Sequence, residues 1–391
     1  MAASDARDAG NLPADVAIAT TSRADYGIYR PLLRALAEAG RPAAIFAGGA
    51  HPLEQFGRTL NEITADAPGP IHVVRHEHKG DAPRDVARCC GDAVRAFADA
   101  FDRARPALLF VLGDRGEMLA AALAATFFRI PLAHLHGGDR TAGAMDDAFR
   151  DALTQLAHLH FPALPEHAHR LRALGAPPER IHVVGALAVD ALRDFSPEPW
   201  KTLAAGLPFD ADRPTIVLAY QPETLCDLPP DSAFAAVAEG LADFDGNILA
   251  VGVNADVGHQ TLARAVAAWA SRRPRTHVVA SLPQARFWSW LKAAAALVGN
   301  SSSGLIEAPS LGVPVVNVGD RQKGRIRAAN VIDAPHDAAA IAASLRRATD
   351  ADFRRRAAAC ANPWGDGRTA QRILGVLRAI PSPRVLLERP G

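Results

Sequence analysis

The stretch ALLFVLGDRGEMLAAALAATFFRIPLAHLHGGD, residues 107–139, decides the fold. It opens with a buried strand, ALLFVLGD (107–114), that stops at Asp114. An Ala-rich helical stretch follows, and then a second strand, PLAHLH (131–136). Strands alternating with helices predict a parallel sheet with helices on both faces. Ligands of such sheets sit beyond the carboxyl ends of the strands. Upstream, a short apolar run beginning after Asp15 (VAIAT) leads through a polar turn (TSRADYG) into the helical periodicity of IYRPLLRALAEAG. A strand over 43–49 and a helix over 82–104 complete the first unit. Arg23, Asp114 and His136 all fall at or just after strand ends.

Around 194–213 the composition turns proline-rich and loses regular periodicity, the reading of an interdomain hinge. A second alternating series then runs through TIVLAY (215–220), NILAVGVN (247–254), HVVAS (277–281), ALVGN (296–300) and VPVVNVG (313–319). A last helix is expected at roughly 368–380, after NPWGDG. The expected organisation is a flexible tail over 1–14, a Rossmann-like domain over 15–195 and a second over 196–367. Residues 368–391 form a closing helix and tail that pack back on the first domain. Two doubly wound α/β domains joined by a hinge are the layout of the GT-B class, with the active site in the interdomain cleft.

With 391 residues, 49% hydrophobic and 22% charged, the chain can bury a sizeable core over two domains. Its 43 basic and 42 acidic side chains leave a formal charge of +1, which argues against a general nucleic-acid surface. Cys89, Cys90, Cys226 and Cys360 make no disulfide framework, and the adjacent pair Cys89–Cys90 lacks metal-ligand spacing. The longest apolar run, Met118 to Phe128, is too short to span a membrane, and the first residues are not a signal peptide. A reduced, cytoplasmic protein fits best.

The sharpest local signal is GNSSSGLIEAP, 299–309, between a buried strand and an apparent helix. Free backbone N–H groups, the Ser301 and Ser302 hydroxyls and the positive end of a helix dipole suit a phosphate. Glu307, six residues after Ser301, could accept from both hydroxyls of a ribose. The plainer reading is a serine cap with Glu307 favouring the dipole. Downstream, DRQKGRIR (320–327) puts four cations, Arg321, Lys323, Arg325 and Arg327, after a strand end. They could close over a diphosphate or form a solvated basic loop. Arg23 could bind the same anion from the opposite lobe, or simply belong to a helix start. Asp114, at the end of an apolar strand, is expected to have its pKa raised by burial. Asp114, Asp139 and Asp146, from neighbouring loops, could supply an acid and a base; Asp146 and Asp147 could equally be dipole partners of a helix. His134 and His136 alternate on one strand without a third metal ligand, so no metal site is expected.

Taken together, TSRADYG (21–27), GDRGEMLAAALAA (113–125), HLHGGD through GAMDDAFRDALTQLAHLHF (134–161) and GNSSSGLIEAPSLGVPVVNVGDRQKGR (299–325) are similar to the UDP-N-acetylglucosamine 2-epimerase family. The wording DDAFR and GDRQKGR resembles its hydrolysing branch, from sialic acid and related nonulosonate biosynthesis, more than its reversible branch. The resemblance runs in order from about residue 15 to 380. It implies a GT-B fold and elimination of UDP across C1 and C2, followed by addition of water to release the free C2-epimer. No cofactor and no metal are implied. The substrate is UDP-N-acetylglucosamine or a 2,4-diacetamido-trideoxy relative, and the assembly a homodimer or homotetramer. The family's UDP contacts map onto Arg23, Ser301, Ser302, Glu307 and Arg321, with Gln221 and Asn254 added as UDP-sugar-binding candidates, and its acid–base groups onto Asp114 and Asp146, joined here by His136 and Asp139. Three departures stand out: His136 where some members carry a catalytic Glu, Asp139 where the HGGE-like segment has Glu, and Gln221 where the family usually has His. Glutamine can donate a hydrogen bond to a phosphate but cannot shuttle a proton near neutral pH, so either His136 supplies that group or the activity has shifted.

Overall fold

The computed structural model describes residues 15–380 and 382–388; the segment 1–14, read above as a tail, and the chain end beyond 388 lie outside them. The first sheet holds β1 (Val16–Thr20), β2 (Ala44–Ala47), β3 (Ile71–Val73), β4 (Leu108–Leu112), β5 (Leu132–Leu135) and β6 (Leu159–Phe161). Its order is β3-β2-β1-β4-β5-β6, and every pairing is parallel. The second holds β7 (Thr215–Ala219), β8 (Asn247–Val251), β9 (Thr276–Val279), β10 (Ala296–Gly299), β11 (Val315–Val318) and β12 (Val331–Ala334). It repeats the same winding, β12-β11-β10-β7-β8-β9, again all parallel. The two doubly wound lobes are those the alternating pattern predicts.

Why these runs become central strands is visible in their burial. All five residues of β1, β4, β7 and β8 are buried, because helices cover both faces of each sheet. The helix Arg23–Glu38 turns Tyr26, Tyr29, Leu33 and Leu36 onto the first sheet, a helical spacing of three and four. In each sheet the winding reverses between the first and fourth strands, β1 and β4 in one lobe, β7 and β10 in the other. The loops leaving these strands are therefore splayed apart, and a crevice opens between them.

The 194–213 segment, read above as the interdomain hinge, packs on the second lobe. It contains a short helix, Trp200–Leu203, and Trp200 and Phe209 pack on Trp290 at ring-centroid distances of 5.5 and 5.6 Å. Aromatic burial fastens it to the second lobe despite its prolines. The chain then returns: the helix Thr369–Ala379 places Ile373, Leu374 and Leu377 in the hydrophobic core of the first lobe. Burial of such side chains stabilises by about 1.5–3 kcal/mol each. The lobes also touch directly beside the crevice. Met145 N donates to Thr224 Oγ1 at 2.9 Å, and Ala142 N to the Lys323 carbonyl at 2.9 Å.

Candidate active site

Both reversal points open into one cleft of about 1370 Å³, counting the part open to solvent. Of the residues singled out from the sequence, Arg23, Asp114, His136, Asp146, Gln221, Asn254, Ser301, Ser302, Glu307 and Arg321 all line it. Asp139 does not. It has no exposed surface and lies behind His136, with His167 Nε2 at 2.9 Å, Arg325 Nη2 at 3.1 Å and His136 Nδ1 at 3.5 Å. Burial would push its carboxyl up, but Arg325, His136 and His167 hold it well below the usual range. A buried carboxylate kept ionised in this way orients its neighbours and holds no proton to give.

The first lobe supplies the carboxylates. β4 is followed by Gly113, whose φ of +71° turns the chain so that Asp114 enters the cleft. The sequence predicts a raised pKa for Asp114, and the structure reverses it. Burial does act upward, but the guanidiniums of Arg150, Arg325, Arg321 and Arg115 outweigh it and hold the carboxyl below its ordinary value. Arg150, fully buried on the helix Asp146–Leu156, donates to Asp114, to Asp147 Oδ1 at 2.8 Å, and to the Asp139 carbonyl and Thr141 Oγ1 at 3.1 Å each. Asp146 goes the other way. Burial first, then the nearby charges of Asp114 and Asp256, push it up to about 7. Two carboxyls in one cleft with pKa values driven apart can take separate roles, one kept ionised and one able to exchange a proton near neutral pH. His136 follows β5 with φ of +61°, a left-handed conformation that non-glycine residues seldom adopt and that aims its ring into the cleft.

The second lobe supplies donors. β10 ends at Gly299, with φ of +132°; a Cβ there would sit 2.2 Å from the Ala219 carbonyl oxygen, so only glycine fits. The helix inferred for the Ser-rich motif is two short ones, Ser303–Ile306 and Ala308–Leu311, with Glu307 at their junction. Four residues align few peptide dipoles, so the helix-dipole contribution inferred from the sequence is weak here. Among the described residues neither Ser301 nor Ser302 has a protein acceptor for its backbone N–H, so these donors remain available to a ligand. Glu307 is 8% exposed and its carboxyl is pushed up to about 6 by burial. Gln221 is fixed: its Oε1 accepts from Asn254 N at 2.7 Å, which leaves its amide N–H₂ as a donor.

The basic loop splits. Arg321 and Arg325 line the cleft, whereas Lys323 pairs outside with Asp320 at 3.5 Å and Arg327 with Asp333 at 2.7 Å. Two of its four cations serve the cleft. From the opposite lobe Arg23 has its guanidinium against Ser281 Oγ and makes no ion pair among the described residues. Burial lowers its pKa, the sign of a cation short of counter-charge. Sequence reasoning missed Arg150, Arg115 and Asp256. Arg115 lies 3.4 Å from Asp256, which also lies 3.8 Å from Arg321, so one carboxylate ties the lobes beside the carboxyl pair. Arg150 was findable, as the cation three residues after Asp147 in DDAFR. Arg115 and Asp256 were not, since they meet only across the lobes.

A family profile described as UDP-N-acetylglucosamine 2-epimerase matches residues 34–378. A protein of Legionella pneumophila, UDP-N,N'-diacetylbacillosamine 2-epimerase (hydrolyzing), is 32% identical over 93% of this chain and 95% of its own. Polysialic acid biosynthesis protein P7 of Escherichia coli is 31% identical over 88% of each chain. The crystal structure of UDP-GlcNAc 2-epimerase from Neisseria meningitidis bound to UDP-GlcNAc superposes with a TM-score of 0.78 at 17% identity, covering 94% of this chain and 100% of that one. A cleft between two Rossmann-like lobes, facing carboxyls against phosphate-type donors, agrees with a match of this length: the chain belongs to the UDP-N-acetylglucosamine 2-epimerase family.

Proposed function

We propose that this chain is a hydrolysing UDP-sugar 2-epimerase whose substrate is a UDP-linked 2,4-diacetamido-trideoxyhexose. The carrying observation is the opposed pair in the cleft, Asp114 held ionised and Asp146 pushed up to about 7. The free N–H groups of Ser301 and Ser302, with Arg321 and Arg23, take the diphosphate; Glu307 accepts from the ribose; Trp288, Phe287 and Leu282 wall the uracil end. Ionised Asp146 removes the C2 proton, the C–H electron pair becomes the C1–C2 double bond, and the C1–O bond breaks to release UDP. Asp114 stabilises positive charge developing at C1 as UDP departs. Water then adds its hydroxyl to C1 while a proton returns to the other face of C2, and His136, oriented by Asp139, is the group assigned to that delivery.

Two things support the diacetamido sugar over N-acetylglucosamine. The Legionella relative matches over nearly its whole length. On their far side, Arg115 and Asp146 also border an apolar chamber walled by Met145, Phe149, Leu119 and Val257, a place for acetyl and C6 methyl groups rather than hydroxyls. A cytoplasmic homodimer or homotetramer belongs to the same proposal; four free thiols fit a reducing compartment. The deciding experiment incubates the chain with each UDP-sugar in heavy water and follows C2 exchange and UDP release by NMR. Free UDP and a free deuterated epimer are expected, faster with the diacetamido sugar. A UDP-linked epimer as sole product would overturn the hydrolytic reading, and preference for UDP-N-acetylglucosamine would overturn the substrate.

A further inference from the structure

We propose that His76, His78 and Cys89 bind a zinc ion that staples the loop after β3 to the helix Pro83–Arg103. The ligand atoms of the three side chains all lie within 4.8 Å of one another. Cys89 Sγ is 3.5 Å from His78 Nδ1 and 3.6 Å from Nε2, so the thiol lies against the face of that ring, and a turn of the imidazole about its Cβ–Cγ bond is needed to bring one nitrogen and the sulfur onto a shared metal. With Zn–S near 2.3 Å and Zn–N near 2.0–2.1 Å, sulfur and nitrogen ligands of a tetrahedral zinc sit about 3.6 Å apart. The His76 and His78 rings are 4.8 Å apart and tilted by 37°, close but not stacked flat.

A thiol–imidazole hydrogen bond would explain Cys89 and His78 but not His76. Both nitrogens of His76 are buried without a well-formed hydrogen bond, which leaves polar atoms desolvated and uncompensated. A metal satisfies one of them directly and gives the pair a common purpose. The contrast with a second cluster is informative. Glu223, Cys226 and His336 also converge, yet His336 Nε2 already meets the Tyr220 hydroxyl at 2.7 Å, and Glu223 accepts from Asp320 N at 3.1 Å. That cluster is satisfied without an ion.

The donor set decides the metal. One thiolate with two imidazoles selects zinc over magnesium or calcium, and a water completes the fourth position. Binding breaks the Cys89 S–H bond, forms Zn–S and releases one proton to solvent.

None of the three residues lines the catalytic cleft. Their loop nevertheless reaches the other lobe. Asp81 accepts from Gly258 N at 3.2 Å through its carbonyl and from Gln260 N at 2.8 Å through Oδ2, at the start of the helix His259–Ala270. Zinc would thus stiffen a bridge between the lobes. The adjacent cysteines carry no such signal in sequence because the partner histidines lie in a loop 11 and 13 residues upstream, joined only by the fold.

The test uses the untagged, full-length chain freed of metal with a chelator and titrated with Co²⁺, then Zn²⁺. A cobalt–thiolate charge-transfer band saturating at one equivalent and bleached by Zn²⁺ is expected. Cys89→Ser should abolish the band and Cys90→Ser should keep it. His76→Gln, which keeps hydrogen-bonding capacity if the fold needs it there, should weaken binding by more than about tenfold. Circular dichroism checks that each variant is folded, and zinc should raise the Tm of the wild type but not of Cys89→Ser. No band in the wild type, or a band that survives in Cys89→Ser, overturns the site.

Discussion

Arg150 meets Asp114 inside the first lobe, with a guanidinium that has no exposed surface and a carboxylate that opens into the cleft. The same guanidinium holds Asp147 at 2.8 Å. Removing it strands two half-buried carboxylates and the buried Asp139 carbonyl; breaking a buried pair on one side costs about 3–5 kcal/mol, and these partly covered groups lie toward the lower end. Arg150→Met is expected to lose stability of that order in urea denaturation, while Arg150→Lys, which keeps the charge but not the fork, loses less. Asp114→Asn leaves the arginine buried and should lose C2 exchange while holding UDP within a few fold. Full exchange in that variant would take Asp114 out of the reaction.

Asp146 makes a prediction about pH. Its folded pKa of about 7 lies above the unfolded value of about 3.9. The folded state therefore favours the protonated form; this contribution is whole below about pH 4 and is lost as pH rises through about 7. Asp146→Asn has no such loss. Its stability relative to wild type is expected to increase between pH 4 and pH 8, by about 1–4 kcal/mol, in paired denaturation curves. Turnover by the wild type should rise through about pH 7 as the base ionises, and the variant should lose exchange of the C2 proton. A flat stability difference across that range would mean that Asp146 is not desolvated as described.

Much of this was legible in the sequence because central strands and their exits are local features. The apolar runs that became β1, β4, β7 and β10 each end where the chain turns into the cleft, so the residues after them could be placed in one site. β3, β6 and β12 left no comparable trace: they have three or four residues each, and Ile71–Val73 is only partly covered, so neither length nor period marks it. The direction of the Asp114 shift was misread for a related reason. An apolar strand announces burial, but the four arginines that outweigh burial come from Arg115, Arg150, Arg321 and Arg325, three of them far away in sequence.

The basic loop gives a contrast between neighbours. Arg321 lines the cleft and Lys323 is exposed beside Asp320. Arg321→Ala is expected to weaken UDP binding by about 1.5–3 kcal/mol, the worth of a hydrogen bond to a charged group. Lys323→Ala should stay within about 0.5 kcal/mol, as surface substitutions do. Equal losses in calorimetric titration would mean that the loop acts as a diffuse basic patch.

Glu307 and Ser302 test the nucleotide end without touching the carboxyl pair. Glu307 is buried, and its pKa of about 6 means that it is largely ionised at pH 8 and largely protonated at pH 5. An ionised carboxylate accepts two ribose hydroxyls more strongly than a neutral acid does. Wild-type affinity for uridine should therefore weaken as pH falls from 8 to 5, and in Glu307→Gln that dependence should disappear together with about 1–3 kcal/mol of UDP binding. Uridine isolates this effect, because it lacks the diphosphate that titrates over the same range. Ser302→Ala should weaken UDP but leave uridine unchanged, since its hydroxyl and N–H face the phosphate side. Loss of uridine binding in Ser302→Ala, or a pH dependence that persists in Glu307→Gln, would reverse the orientation assigned to the nucleotide.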